Sequence, residues 1–160
     1  MIVVSNSTPL IGLSRIRHLH LLQELFGEIL IPDGVYNETV RSASELPGAK
    51  LINAANWIKI LLVEDKTGVE YLRLDLDNGE AEAIVLAQEQ KADLVLIDET
   101  KARLAAHHLK IPFMGTVGVL ILAKRAGKIE SVRPLMDALR QQTFYLSDQI
   151  YHSVLHQVGE

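Results

Sequence analysis

Short runs of apolar and β-branched residues alternate along this chain with longer stretches of helical periodicity. Four of these runs, at residues 2–5, 27–32, 93–97 and 111–114, have the length and composition of buried strands. A fifth run at residues 57–63 shows the same pattern more weakly. Strands that alternate with helices require crossover connections, which make the strands parallel and place helices on both faces of the sheet. The sequence therefore predicts a three-layer α/β/α fold with a central parallel sheet of about five strands.

The stretches between the strands predict the helices, and turn-forming residues mark their ends. Thr8 and Pro9 suit the N-cap and first turn of a helix that extends to about Phe26, with an interruption near Arg17. Residues 42–48 contain Ser, Pro and Gly and are predicted to form a loop. Further helices are predicted at residues 33–41, 80–90, 100–109, 116–126, 132–141 and 148–158.

Length and composition limit the organisation of the chain. With 160 residues and a hydrophobic fraction of 48%, we expect a single domain over residues 1–160, with a C-terminal helical extension at about 131–160. The absence of cysteine excludes disulfides and thiolate zinc sites and is compatible with a reducing, cytoplasmic compartment. The longest apolar stretch, near residues 117–123, is interrupted by Gly118 and is shorter than the ~20 residues that span a bilayer. We therefore expect a cytoplasmic protein without a membrane segment.

The net charge of −4 narrows the functional classes. Proteins that passively coat nucleic acid are usually basic, so the overall charge argues against that class. It does not argue against an enzyme with cations in an acidic pocket, because a bound metal reverses the local sign of the charge.

Polar and acidic residues follow most of the predicted strands. In open parallel sheets, ligands bind beyond the carboxyl ends of the strands, where residues from separate segments come together. The candidates are Asn6, Ser7 and Thr8 after the first strand, Glu38 beyond the second, Asp98 and Glu99 after the fourth, Gly115 and Thr116 after the fifth, and Glu80 at the start of the helix before the fourth. Carboxylates in one pocket repel each other unless a cation neutralises them, and Mg²⁺ or Mn²⁺ has the preference for oxygen ligands to do so. Such an ion can also activate water against a phosphodiester.

Each acid also has a purely structural interpretation. Glu38 could be solvated on a short helix, and Glu80 could form a capping box with Asp77 three residues earlier. Asp98 could be the N-cap of the helix at 100–109. Glu82 is two residues from Glu80 on the same helix and is predicted to face solvent.

Five segments, taken in order, resemble the motifs of PIN-domain nucleases. They are residues 4–11 (VSNSTPLI), 31–38 (IPDGVYNE), 76–84 (LDNGEAEAI), 96–103 (LIDETKAR) and 115–120 (GTVGVL). Residues 127–135 and 144–155 are also similar to a prokaryotic PIN-like subfamily of unknown function, so the resemblance covers nearly the whole chain.

The resemblance implies a Mg²⁺- or Mn²⁺-dependent ribonuclease that cleaves single-stranded RNA. Many relatives are toxins of toxin–antitoxin pairs, commonly homodimeric and held inactive by a small antitoxin protein. Carried over by position, the catalytic, metal-binding acids would be Glu38, Glu80 and Asp98, with Glu99 as an alternative to Asp98. Asn6 would be a further metal ligand.

Other residues are candidates for contacts with RNA. Ser7 and Thr8 would lie near the metal, and Thr116 follows the fifth strand. The basic residues Arg15, Lys101 and Arg103 lie on helices one or more turns beyond the strands and could contact phosphates, although isolated basic residues on helices are usually solvated. These six residues form the predicted substrate-binding set.

The sequence departs from the PIN pattern at two positions. Asn6 stands where the family normally has its first Asp, and Thr116 stands where some relatives have a further acid. Two hypotheses follow: a three-acid site for one metal, or an inactive PIN-like module that binds RNA or a protein. A phosphorylated receiver domain would need paired acids after the first strand, which Asn6 and Ser7 do not supply.

The last helix has two interpretations. Ile150, Val154 and Leu155 are predicted to share one face. That face could form a dimer or antitoxin interface, or it could pack against the helix's own domain.

Overall fold

The computed structural model describes all of residues 1–160 and contains one five-stranded, fully parallel sheet. Its strands are β1 (Val3–Ser5), β2 (Ile29–Pro32), β3 (Ile58–Leu61), β4 (Leu94–Leu96) and β5 (Phe113–Met114). Its helices are α1 (Ser7–Arg15), α2 (His20–Phe26), α3 (Asp33–Tyr36), α4 (Pro47–Ala54), α5 (Lys66–Leu72), α6 (Asn78–Glu89), α7 (Thr100–His108), α8 (Thr116–Arg125), α9 (Arg133–Gln141) and α10 (Asp148–Val158). The predicted α/β/α class and parallel sheet are confirmed.

The strands lie in the order β3-β2-β1-β4-β5, so the direction in which the chain adds strands to the sheet reverses beside β1. The chain proceeds outward from β1 to β3, returns to β4 on the other side of β1, and ends the sheet with β5. Ser5 pairs in register with Leu96, and the backbone N–H of Asn6 donates to the carbonyl of Leu96 at 3.0 Å. Open α/β sheets bind ligands at such a switch point, outside the carboxyl ends of the strands. The residues after β1 and β4 therefore lie beside each other there.

One hydrophobic core joins the sheet to the C-terminal helices. All residues of β1 and β4 are buried, as expected of parallel strands covered on both faces. The same cluster of 38 buried residues includes Met136 of α9 and Val154 and Leu155 of α10. Val154 and Leu155 thus pack against their own chain, whereas Ile150 is 51% exposed and does not share their buried face.

The first helical region is divided as the sequence predicted, but it begins earlier. α1 ends at Arg15, Arg17 has a positive φ of 60°, and α2 begins at His20. The prediction of Thr8 as the N-cap is wrong: α1 already includes Ser7 and Thr8, and Asn6 is the extended residue before it.

Two short helices were not predicted. The predicted loop at 42–48 ends at Leu46, because Pro47 begins α4 at a position where proline is well tolerated. α5 begins after Asp65, whose side chain accepts from the N–H of Gly68 at 2.9 Å. Helices this short gain their stability mainly from packing, here against α1 and α6, so their local sequence signal is weak. None of the helices combines the length and apolarity needed to span a bilayer.

The helix predicted at 33–41 changes its winding midway. After α3 the chain widens into a π-helical turn over Asn37–Arg41, in which the N–H of Ser42 donates to the carbonyl of Asn37 at 2.8 Å. This turn carries Glu38. π-Helical turns are rare and occur frequently at functional sites.

Packing of α9 into the core predicts that the C-terminal extension unfolds together with the sheet. Because the side chain of Met136 is fully buried, Met136→Ala is expected to lower the free energy of unfolding in urea by about 2–5 kcal/mol. Leu104→Ala is the matched control, since Leu104 is 55% exposed and its truncation should change stability by less than about 0.5 kcal/mol. A separate early transition in the Met136→Ala variant would show that the extension unfolds independently.

Candidate functional site

Carboxylates from three segments approach one another at the carboxyl edge of β1 and β4. Glu38 comes from the π-helical turn, Glu80 from the first turn of α6, and Asp98 and Glu99 from the residues after β4. Burial, followed by the charges of Asp77, Glu99 and Glu38, raises the pKa of Glu80 from 4.5 to about 7, against a backbone hydrogen bond from Asp77 that lowers it. Glu38, Glu80 and Glu99 therefore lie close enough for their charges to interact, whereas Glu99 is the one acid whose charge raises the pKa of Asp98.

Glu38 is held by donors from two other segments. Its carboxylate accepts from the hydroxyl of Ser7 and from the backbone N–H of Gly79, the latter at 3.2 Å. A Cβ at residue 79 would collide with both carboxylate oxygens, so the close approach requires glycine. Burial raises the pKa of Glu38, and Asp77 and Glu82 add to the rise while the hydrogen bonds from Ser7 and Gly79 oppose it.

Asp98 is bound to the start of α8. It accepts from the backbone N–H of Thr116 at 2.8 Å and from its hydroxyl at 2.6 Å, and the guanidinium of Arg103 lies 3.7 Å away. The alternative that Asp98 merely caps the helix at 100–109 is wrong, because its carboxylate satisfies a free N–H of α8 instead. Burial raises the pKa of Asp98 despite the opposing hydrogen bonds from Thr116 and the charge of Arg103.

Glu99 points toward α1, away from the partners of Asp98. The hydroxyl of Thr8 donates to its Oε1 at 2.5 Å, and Nδ2 of Asn6 donates to its Oε2 at 3.2 Å. Asn6 is 2% exposed, and its Oδ1 is the one buried side-chain polar atom in the protein that has no hydrogen-bond partner. A buried acceptor without a partner is costly, by about 1–3 kcal/mol. The amide oxygen of Asn6 is therefore available for a ligand.

Glu80 has the predicted structural role as well. Its N–H donates to Asp77 Oδ1 at 2.8 Å, and its Oε2 accepts from the N–H of Asp77 at 3.2 Å, which completes a capping box. The capping box uses Oε2 of Glu80 and leaves Oε1 outside it. Capping and participation in the acidic cluster are thus compatible.

The prediction that Glu82 faces solvent is wrong. Its Oε2 accepts from the N–H of Gly34 at 2.6 Å, and its charge contributes to the raised pKa of Glu38. The sequence signal for this contact was Gly34 in the first turn of α3, because backbone N–H groups in a first turn have no partner within the helix and need an acceptor from elsewhere. Spacing along α6 alone did not show that α3 packs against it.

The hydroxyl residues predicted to bind substrate all donate to acids in this structure. Ser7 binds Glu38, Thr8 binds Glu99, and Thr116 binds Asp98. Their hydrogen bonds orient the carboxylates that line the site.

The three basic candidates occupy different environments. The Nε of Arg103 donates to the carbonyl of Ile97 at 3.0 Å, and its guanidinium lies 5.9 Å from the ring centroid of Phe113. Together with its ion pair to Asp98, these contacts fix Arg103 inside the site. Arg15 and Lys101 are exposed and form no ion pair.

The residues of the site can be compared with what a divalent metal requires. No three acidic or histidine side chains are arranged around one point as metal ligands, and hydroxyl and amide groups donate to Glu38, Asp98 and Glu99. The donor set nevertheless consists of oxygens, which suits Mg²⁺ or Mn²⁺. The unpaired Oδ1 of Asn6 and the raised pKa of Glu80 are both features that a cation would relieve. The chemistry of the site therefore fits a hard divalent ion.

The five-stranded parallel sheet is consistent with the fold of PIN domains, which are generally nucleases. A family model described as DUF3368, a PIN domain, matches residues 2–160. The chain therefore belongs to this PIN-domain family. No curated protein matches the chain significantly.

The raised pKa of Glu80 predicts how stability depends on pH without metal. Between pH 4.5 and about 7 the folded protein holds a proton on Glu80 that the unfolded chain releases, so stability falls as pH rises through this window. Glu80→Gln should remove the part of this pH-dependent fall in stability that comes from Glu80, which is at most about 3 kcal/mol. The amide oxygen of the glutamine can still accept in the capping box. Melting temperatures measured in chelator from pH 4 to 8 test this.

The control for that experiment is Glu28→Gln, because Glu28 is exposed and makes no side-chain hydrogen bond or ion pair. Parallel pH profiles for wild type and Glu80→Gln would contradict the prediction.

Proposed function

We propose that this protein is a divalent-metal-dependent endoribonuclease that hydrolyses phosphodiester bonds in single-stranded RNA. The observation that carries the proposal is the buried, unpaired Oδ1 of Asn6 beside Glu99, within a cluster of carboxylates whose pKa values are raised. Such a cluster is most stable when a cation neutralises it.

Glu38, Glu80, Asp98 and Asn6 are the proposed ligands of Mg²⁺ or Mn²⁺, with Glu99 as a further candidate. When bound, the metal supplies an activated water and neutralises charge on the phosphoryl group. Glu80 would hold the ion as a carboxylate, so a bound cation would favour loss of the proton that burial and neighbouring charges favour in its absence.

The hydrogen bonds around the acids set the orientation of the site. Ser7 fixes one oxygen of Glu38, and Thr116 fixes both oxygens of Asp98. Arg103 partly neutralises Asp98 and is itself held by the carbonyl of Ile97. These hydrogen bonds fix the positions of the carboxylates before any ligand binds.

A second candidate function is binding without catalysis. Asn6 contributes an amide in place of a charged carboxylate, and the acids are not grouped as three ligands in this structure. A neutral ligand weakens the attraction for a cation, so a PIN-like module of this kind could bind RNA or a protein without cutting RNA.

The proposal extends to partners on the basis of the family resemblance. Many PIN-domain proteins are toxins held inactive by an antitoxin, and we propose a small inhibitory protein and a homodimer here also. Growth arrest on expression of the wild type, relieved in Asp98→Asn, would support the toxin role, whereas equal growth of both strains would contradict it.

Cleavage and metal binding test the ribonuclease proposal together. Wild-type protein is expected to cut a labelled single-stranded RNA with Mn²⁺ or Mg²⁺ and to be silent in chelator. Glu80→Gln and Asp98→Asn should each lose at least about 10²-fold in rate, because each removes a charge from the metal site. Glu28→Gln, which changes an exposed acid outside the site, should retain the wild-type rate.

The variant Asn6→Asp separates the two candidate functions. By restoring a carboxylate it should tighten Mn²⁺ binding, measured by calorimetry, by at least about tenfold. If the wild type neither binds Mn²⁺ nor cuts RNA while Asn6→Asp does both, the natural protein is a binding module and the ribonuclease proposal is wrong.

A further inference from the structure

A groove of about 1150 Å³ lies between α1 and α4 and extends to the turn that joins α1 to α2. Its walls include Arg15 and Arg17 on one side and Lys50 on the other. None of the carboxylates of the acidic site lines it. The groove is thus a separate surface with its own chemistry.

The groove begins next to the acidic site. Ser7, Ile11 and Arg15 are spaced four residues apart on α1 and so share one face of the helix, over about 12 Å along its axis. Ser7 binds Glu38, whereas Ile11 and Arg15 line the groove. On the other side Thr39, which directly follows Glu38, also lines the groove. Ser7 and Thr39 are themselves buried, so a ligand in the groove would lie over Ile11 and Arg15 and end about one helical turn from Ser7.

The rim of the groove is basic although the protein as a whole is acidic. Arg15, Arg17 and Lys50 are exposed, and none takes part in any of the seven ion pairs of the structure. Glu45 is the one acidic residue that lines the groove, in a chain of net charge −4. Cationic side chains without acidic partners fit a polyanion.

Half of the residues that line the groove are hydrophobic, and one of them is aromatic. Ile11 and Trp57 are partly exposed there, and Leu51 is 46% exposed. Proteins that bind single strands combine a positive groove for the backbone with aromatic side chains on which bases stack. A duplex does not fit this arrangement, because its bases are stacked on each other and cannot stack on Trp57.

We propose that this groove binds a stretch of single-stranded RNA, with phosphates at Arg15, Arg17 and Lys50 and a base against Trp57. The strand continues along α1 toward Glu38. This inference rests on the proposed ribonuclease function of the acidic site, to which it adds the path of the substrate.

Trp57 is the only tryptophan of the chain, so its fluorescence reports directly on the groove. Wild-type protein is titrated with a short single-stranded RNA in chelator, where no metal-dependent cleavage occurs. Stacking of a base is expected to quench the fluorescence, and a blunt duplex of the same sequence is expected to leave it unchanged. Equal quenching by the duplex would overturn the proposal.

The dependence of affinity on salt tests the basic rim. Loss of two phosphate contacts in Arg17→Gln/Lys50→Gln should reduce the slope of log K against log salt by about 1.4 for a single strand. The matched control is Lys66→Gln/Arg125→Gln, which removes the same charge from exposed residues outside the groove. Equal slopes in the two variants would contradict the proposal.

Trp57→Leu removes the stacking surface and keeps the groove apolar. Measured by anisotropy of a labelled RNA, its affinity should fall roughly tenfold or more. Unchanged affinity would contradict the contact with the base. Circular dichroism and melting of each variant establish that it is folded before its affinity is compared.

The outcomes also separate this inference from the ribonuclease proposal. If wild-type protein cuts RNA with Mn²⁺ but RNA leaves Trp57 unquenched, the groove proposal is wrong and the ribonuclease stands. If the groove binds RNA as described and no divalent ion supports cleavage, the groove stands and the ribonuclease is wrong. If a polyglutamate peptide quenches Trp57 and RNA does not, the groove binds an acidic protein segment instead.

Discussion

The burial of several carboxylates at one edge of the sheet is the constraint on which the arrangement of this protein's site depends. Three of the acids are held by donors from other segments: Glu38 by Ser7, Asp98 by Thr116 and Glu99 by Thr8. These bonds lower the cost of bringing the acids together, but the pKa values of Glu38, Glu80 and Asp98 remain raised. The site thus keeps an electrostatic strain that a cation can relieve, which is the physical basis of the proposed metal dependence.

The fold supplies the donors as well as the acids. Parallel strands β1 and β4 deliver Asn6 and Asp98 to the same edge of the sheet, and the helices that follow begin there. Backbone N–H groups in the first turns of α3, α6 and α8 donate to Glu82, Glu38 and Asp98 respectively. Helix N-termini have such unpaired N–H groups, which favour anions nearby. The acids are therefore tolerable because several helices start at this edge.

Two surfaces of opposite charge lie next to each other along α1. The acidic cluster at its N-terminal end suits a cation, and the basic rim at its C-terminal end suits a phosphate backbone. The net charge of −4 averages over both and conceals the basic surface. The proposed binding of RNA to a protein that is acidic overall depends on this segregation of charge.

The sequence alone determined the parallel α/β class, the break near Arg17 and the capping box of Asp77 and Glu80, since apolar runs, turn residues and caps act over a few positions. It also pointed to the acids after each strand. Only the tertiary structure decided which donors those acids bind, that Glu82 turns inward to Gly34, and that α4 forms and walls a groove. Those features depend on packing between segments far apart in the chain, and such contacts leave no periodic signal in the local sequence.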